Sequence, residues 1–437
     1  MLNRYSFSSY FHSPSHRSNL ANSHSAIGYG AHRVNRFQIR QVIFVVTLFS
    51  GIPAYADPEL FDTIHPYVST TESYSSNLLD LANSAQAVEV LGSSAMSDRW
   101  RTNEIGVSFD DQIGLQHVTA DLNKSRVDFD RFGLLDYTGT SAKGNWNWAI
   151  GTHFTGDLGA SYVQAPVSFA YFHELALPLS DLKQQNFDMD WTFHPSWRVV
   201  ASVKTYLLSY ELPVQQADSR NEYHALTGFD YLTPDGSSFG ILVGNLRTYF
   251  PYPQQFGDDF IVNNNKQKEA KININWNLTG TTSLQYLGGW VERKYDILTQ
   301  DDYRGWNDRM TLNWNPGGEF SVVGMLWHEI GAVDLLTTVY AVNRGVSVDP
   351  VWQVSGKMKL EALYKYEKHD FAQTEQPFGL PEQGEIIDTA TTTGALTYDI
   401  TRHVQFQASA YHVAQSTSNH TSDFHENGLS LKMSFTF

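Results

Sequence analysis

The 437-residue chain contains no cysteine. That single absence excludes a disulfide scaffold, zinc–thiolate sites, iron–sulfur clusters and thiol nucleophiles together. Charge is also scarce, at 17% of residues against roughly 25% in an average soluble protein. The charge present is mostly acidic: 30 Lys and Arg face 46 Asp and Glu, a net of -16, so the basic footprint that nucleic-acid binding needs is missing. Long apolar runs are missing as well. Nothing after Asp57 approaches the ~20 consecutive apolar residues of a membrane-spanning helix.

What is plentiful is aromatic and small: 26 Phe, 23 Tyr, 11 Trp and 31 Gly. The charge is also unevenly placed. Residues 1–56 hold Arg4, Arg17, Arg33, Arg36 and Arg40 and no acid, so the remainder carries 25 basic against 46 acidic groups, or -21. Arg33 to Arg40 forms a basic stretch, Val42 to Phe49 an apolar one, and Ala54-Tyr-Ala56 a small-x-small cleavage signal before Asp57. This pattern predicts a secretory signal peptide, with 1–56 as leader and 57–437 as the mature domain. The Ser-, His- and Arg-rich segment before Arg33 makes that leader longer than usual.

In the mature chain the dominant signal is period two. Ala270, Ile272, Ile274, Trp276 and Leu278 alternate with Glu269, Lys271, Asn273, Asn275 and Asn277, which defines a strand with one apolar and one polar face. Lys357 to Glu367, Asn307 to Asn315 and Val199 to Leu207 repeat it. Short turn signals follow an aromatic or apolar anchor at intervals averaging about 41 residues, among them Trp148, Trp191, Trp276, Trp314 and Tyr398. Each period holds two long strands, a tight turn and a longer polar connection. A propeller blade of similar length would need four short strands instead. Eight tight turns make nine hairpins, which predicts an all-β, transmembrane, antiparallel up-and-down barrel of about 18 strands, with 16 as the alternative count. In hydrocarbon a closed sheet is one of the few ways to pair every backbone N–H and C=O. Trp148, Trp191, Trp276, Trp314 and Tyr398 are then expected as interfacial aromatics. The chain ends on Leu429, Leu431, Met433, Phe435 and Phe437 facing one way, and Phe435 and Phe437 are expected to act as a signal to the barrel-assembly machinery.

Several short motifs in order carry a family resemblance: Asn77-Leu-Leu, Ser97-Asp98, Asp128-Phe-Asp-Arg-Phe-Gly-Leu-Leu-Asp-Tyr137, Trp146-Asn-Trp148 with Gly156-Asp-Leu-Gly159, His194-Pro-Ser-Trp197 and Tyr231-Leu-Thr-Pro-Asp-Gly236. From about residue 60 onward the chain resembles the EpsL-type outer-membrane proteins of bacterial exopolysaccharide loci, within a broader group of β-barrel porins. The long N-terminus departs from that pattern. The resemblance implies a bacterial outer-membrane protein that helps export or assemble an extracellular polysaccharide, as a passive pore and alongside other export proteins. A general diffusion porin is the alternative, and an outer-membrane enzyme is a further rival.

If the polar face of each strand lines the interior, the inward basic residues are Arg198, Lys204, Arg247, Lys271, Arg293, Arg309, Lys357, Lys359, Lys365 and Lys432. The inward acids are Asp121, Glu222, Asp230, Glu269, Glu319, Glu329, Glu361, Glu367 and Asp399. That balance predicts a nearly neutral lumen in which these charges and amides such as Asn273 touch a passing solute weakly enough to release it. The loop beginning at Arg247 carries Tyr249, Phe250, Tyr252 and Phe256; Tyr249, Tyr252 and Phe256 are candidate sugar contacts. Leu78 to Leu91 is expected to form a short helix in the first long loop, either narrowing the pore or lying on its rim. His403, His412, His420 and His425 stand near Asp399, Asp423 and Glu426, but no spacing matches a metalloprotease helix, a nucleophile elbow or a phosphate loop. No enzyme activity, metal or cofactor is expected; the expected partners are outer-membrane lipid, the assembly machinery and the polysaccharide, and not nucleic acid.

Overall fold

The computed structural model describes residues 63–166, 179–212, 215–256, 259–331, 340–371, 386–420 and 422–437. The leader lies outside them. The strands follow the period-two segments, beginning with β1 (Ile64–Ser75), β2 (Asp98–Ile113), β3 (Gln116–Phe129), β4 (Tyr137–Ile150), β5 (Phe154–Pro166) and β6 (Leu179–His194). They continue through β7 (Trp197–Tyr210), β8 (Arg220–Leu232), β9 (Ser238–Tyr249) and a small separate hairpin, β10 (Gln254–Phe256) with β11 (Asp259–Ile261). The remainder are β12 (Asn265–Thr279), β13 (Thr282–Tyr295), β14 (Tyr303–Gly317), β15 (Phe320–Gly331), β16 (Ala341–Ser355), β17 (Met358–Phe371), β18 (Ile386–Asp399), β19 (Val404–Thr417) and β20 (Phe424–Thr436).

Eighteen of these strands form one antiparallel sheet, each paired with its neighbours along the chain, and β1 pairs with β20 to close it. The strand count agrees with the sequence reading. The β10–β11 hairpin sits inside the β9–β12 connection, so the barrel register runs directly from β9 to β12. With strands ~4.8 Å apart and tilted ~40°, such a barrel has a backbone radius of roughly 18 Å.

The register fixes which side chains point outward, because directly paired residues share a face. Phe187 pairs with Val203, Val199 with Phe229, Phe229 with Ile241, and Ile241 with Ile272, and this outward face continues around the closed barrel. Ile241 and Phe229 are among its most exposed members, at 66% and 59%. A face this apolar and this open needs lipid against it. The strands that carry this face are the crossing elements; no helix among the described residues is long and apolar enough to cross a membrane.

The tight connections lie at one end and the long ones at the other. Gly236 takes φ 82 in the turn after β8, a conformation that residues with a Cβ rarely adopt. The hydroxyls of Thr233 and Ser237 hold the Asp235 carboxyl below its usual range in that turn. On the outer face near the turns, Trp148 lies over Gly156, where any Cβ would collide with the indole, so the glycine makes the seat for the ring.

The first long loop contains one helix, α1 (Ser84–Leu91). Sequence alone suggested helix from Leu78. Helix instead starts after Asn83, whose side chain accepts from the Ala85 and Gln86 amides, a capping arrangement that fixes the start of the first turn. Upstream, Asn77 ties the chain into a turn by bonding both ways with the Leu81 backbone, and Asp80 adopts φ 50. Leu78, Leu79, Leu81 and Ala87 form a small core with Phe132 and Leu135 of the β3–β4 loop, packed against Trp100 and Phe129.

Candidate functional site: the inner wall

Every inward position is set by the strand register, so the lining can be read strand by strand. Lys271, Asn273, Arg293, Arg309, Lys359, Glu361, Lys365, Arg198 and Lys204 all stand on the inner face, opposite in parity to the outward Ile272, Trp290, Trp306, Leu360, Tyr364 and Val203. Lys357 lies at the turn just before β17 and donates to the Ile400 carbonyl. Arg247 is a correction. It pairs with Tyr223 and Lys266 on the face that carries Ile241 and Val243, so it points away from the lumen. The polar-means-inside assumption fails there because β9 has already risen above the apolar band.

The inner wall is built from paired charges rather than free ones. Arg198 joins Asp230 (2.6 Å) to Asp190 (2.8 Å), and Asn273 donates to the same Asp230, which is wholly buried. Glu269 is held between Lys271 (2.6 Å) and His224 (3.3 Å), and Gln267 donates to it while accepting from Arg293. Arg309 pairs with Glu329 (2.6 Å), Lys359 with Glu361 (3.0 Å), and Lys365 with Glu367. Asn273 and Arg293 are almost fully enclosed by this network; they brace the wall more than they present a surface to a solute.

The wall also opens into a polar cleft of ≈ 350 Å³ lined by Gln353, Lys357, Lys359, Glu361, Thr397, Asp399, Gln405 and Gln407. This brings together four of the sequence candidates, Lys357, Lys359, Glu361 and Asp399, at the turn end of β16–β19. The cleft offers two ammonium groups, two carboxylates and three amides, a set that can hydrogen-bond a hydrated solute from several directions.

Sequence reading missed much of the acid. Phe187, Met189 and Trp191 face outward, so Asp188 and Asp190 between them face in. Asp157 and Asp188 stand directly opposite each other across β5 and β6, with Asn147 donating to Asp157 (2.7 Å) and Asn186 donating to both carboxylates (2.6 and 3.1 Å). Glu104, Asp349 and Glu426 also lie on the inner face. Lys143 and Arg220 face inward as well, but the added acids outnumber them, so the lumen expected from sequence to be nearly neutral is acidic in balance. The alternation Phe-Asp-Met-Asp-Trp was the signal that could have found two of these residues.

Trp148, Trp191, Trp276, Trp314 and Tyr398 all project outward near the tight turns, with Trp148 stacked on Phe187 and Trp191 on Phe154. A second outward aromatic level near the long loops, including the directly paired Trp290 and Trp306, was not anticipated. Tyr249 is also outward, edge-on to Tyr223 at the loop end, which removes it from the lumen; Tyr252 is exposed in the loop, and the Phe256 side chain lies outside the described set. His412 and His425 stack on each other on the outer face, and His420 bonds Asp423 in a loop. Phe435 and Phe437 meet edge to face at 4.9 Å beside the closing seam, and the Phe437 amide donates to Pro66. Helix α1 packs, through its core, on Trp100 and Phe129, which are inward residues of β2 and β3. It therefore sits on the inner side of the wall at the loop end rather than on the outer rim.

A closed barrel with an apolar outside and a polar inside, carrying an inward-packed loop at one end, is the architecture of a porin. A family model described as Putative beta-barrel porin 2 matches residues 63–437. The chain belongs to that family. No curated protein matches it. Among solved structures, this porin-family chain is similar to OpdK of Pseudomonas aeruginosa, crystallised with vanillate, at 10% identity and TM-score 0.46, covering 86% of this chain and 99% of that one. OccAB3 of Acinetobacter baumannii is 8% identical at TM-score 0.42, covering 86% and 99%. The FrpB iron transporter of Neisseria meningitidis is 9% identical at TM-score 0.44, covering 81% and 62%.

Proposed function

We propose that this porin-family chain is a passive diffusion channel of the bacterial outer membrane for small hydrophilic solutes, with a modest preference for cations. The observation that carries the reading is the inner wall itself. Its basic residues are largely tied up in ion pairs, while Asp157 and Asp188 face inward held only by amides. A solute then meets many weak polar contacts and a small excess of negative charge, which permits entry without tight retention. The turn-end cleft around Lys359, Glu361 and Gln405 serves as the last contact before release.

Conductance of the purified full-length barrel in planar lipid bilayers tests this directly. Stepwise openings are expected, with a reversal potential in a KCl gradient displaced toward potassium; a barrel that inserts but never conducts would overturn the channel reading. Export or assembly of an extracellular polysaccharide is a narrower role supported only by the ordered motifs from Asn77 to Gly236. A deletion strain that secretes its polysaccharide normally would remove that role and leave the diffusion channel standing. The leader through Ala56 is read as cleaved on secretion, and β20 with the Phe437 that follows it as the segment the assembly machinery engages.

A further inference from the structure

Above the apolar band on β9, β12 and β13, the outward face changes from Ile, Val and Trp to Lys and Arg. Arg247 of β9 stands directly opposite Lys266 of β12, and Lys266 directly opposite Lys294 of β13. Three cations thus lie abreast on three adjacent strands, ~5 Å apart from strand to strand. Lys268 sits one outward step below Lys266, opposite Glu292, and Arg304 of β14 faces Glu292 from the other side. Like charges placed directly opposite destabilise a sheet unless something neutralises them. Glu292 and Asp296 do part of this: Lys266 reaches Asp296 at 3.2 Å, and Lys294 and Arg304 reach Glu292 at 3.4 and 2.7 Å. Five cations against two acids still leave three positive charges on a protein whose net charge is -16. Among the described residues, no carboxylate lies within ion-pairing distance of Arg247 or Lys268.

The height of the row identifies what completes it. Directly below it on the same face lie Val243, Ile241 and Ile272, exposed at 53, 66 and 44%, which belong in hydrocarbon. Two outward residues higher on a tilted strand is a rise of roughly 10 Å, the depth at which the headgroup layer begins. The long loops mark this as the external end. We propose that Arg247, Lys266, Lys268 and Lys294 form a binding surface for phosphorylated lipid headgroups of the outer leaflet. The phosphate oxygens complete the counter-charge that Glu292 and Asp296 leave unfinished. The proposal does not depend on what passes through the lumen.

Native mass spectrometry of the full-length barrel in neutral detergent tests it, with a bisphosphorylated glycolipid, the same lipid enzymatically dephosphorylated, and inorganic phosphate as probes. The wild type should retain the phosphorylated lipid, lose it as salt rises, and retain the dephosphorylated lipid far less. The double variant R247Q/K268Q should weaken retention about 30-fold, at roughly a kcal/mol per surface cation, while R247K retains it. Equal retention of the phosphorylated and dephosphorylated lipids by the wild type would overturn the proposal even if the double variant did not fold. Full displacement by millimolar inorganic phosphate would also overturn it, by assigning the row to a free anion instead of a lipid.

Discussion

Replacing Arg198 with methionine isolates the energetic centre of the inner wall. Asp230 has no solvent exposure and three anchors: two guanidinium contacts from Arg198, at 3.0 and 2.6 Å, and the Asn273 amide at 3.1 Å. Gly240 lies against the same carboxylate, where any Cβ would collide with an Asp230 oxygen. R198M keeps most of the side-chain volume and removes the charge, stranding a buried carboxylate; breaking a buried pair in this way costs about 3–5 kcal/mol. The second partner, Asp190, keeps about a third of its side chain exposed, so its loss adds little. Urea unfolding from lipid vesicles, followed by tryptophan fluorescence, should show that loss. The double variant R198M/D230N should recover most of it, because no uncompensated charge remains. A single variant within about 1 kcal/mol of wild type, or a double variant no better than the single, would refute the view that this pair braces the wall.

Deleting residues 80–95 removes α1 together with Leu81 and Ala87 of the small core from the inner side of the mouth, and single-channel conductance should rise; unchanged conductance would mean the loop does not narrow the path. Converting Asp157 and Asp188 to Asn removes two facing carboxylates and should lower the cation-to-anion permeability ratio measured from reversal potentials, whereas an unaltered ratio would place the selectivity elsewhere. In the β13–β14 loop, burial and the neighbouring Asp302 raise the Asp301 carboxyl to about 6. The folded loop therefore holds a proton that the unfolded chain releases near pH 4. Loop stability should be greatest below that lower value and fall as pH rises to about 6, by at most about 3 kcal/mol. Hydrogen exchange of residues 296–302, corrected for intrinsic rates, should quicken across that window in wild type and not in D301N.

How far the sequence could be read follows from what the bilayer demands. Within the apolar band every outward residue must be lipid-compatible, so alternation in Glu269–Leu278 or Lys357–Glu367 specified strand, face and register together. Above the band the outward face is free to be polar, and parity loses its chemical marker. Arg247 was misplaced for that reason, although counting by twos from Ile241 would have put it outside. The wall networks were less accessible. Nothing local links Asp230 to Asn273, 43 positions away; only the β8–β9–β12 pairing brings them together, across a loop that contributes its own small hairpin. The start of α1 was obscured because three leucines precede it, and Asn77 and Asn83 divert and cap the chain in ways that hydrophobic spacing alone does not record.

The seam between β1 and β20 has a kinetic meaning. Ser73 and Ser430 share a hydrogen bond across 357 positions of sequence, and Ser75 reaches Glu426 across 351. All other barrel neighbours follow one another along the chain, apart from the β10–β11 detour between β9 and β12. The barrel can thus zip hairpin by hairpin, but its two outermost strands stay unsatisfied until the final residues arrive. Contacts of such separation form slowly, and an exposed strand edge recruits other chains. The last strand is therefore the one whose delay leaves the whole molecule open, and a chain cut short before Phe424 would retain nearly every hairpin yet keep two sticky edges.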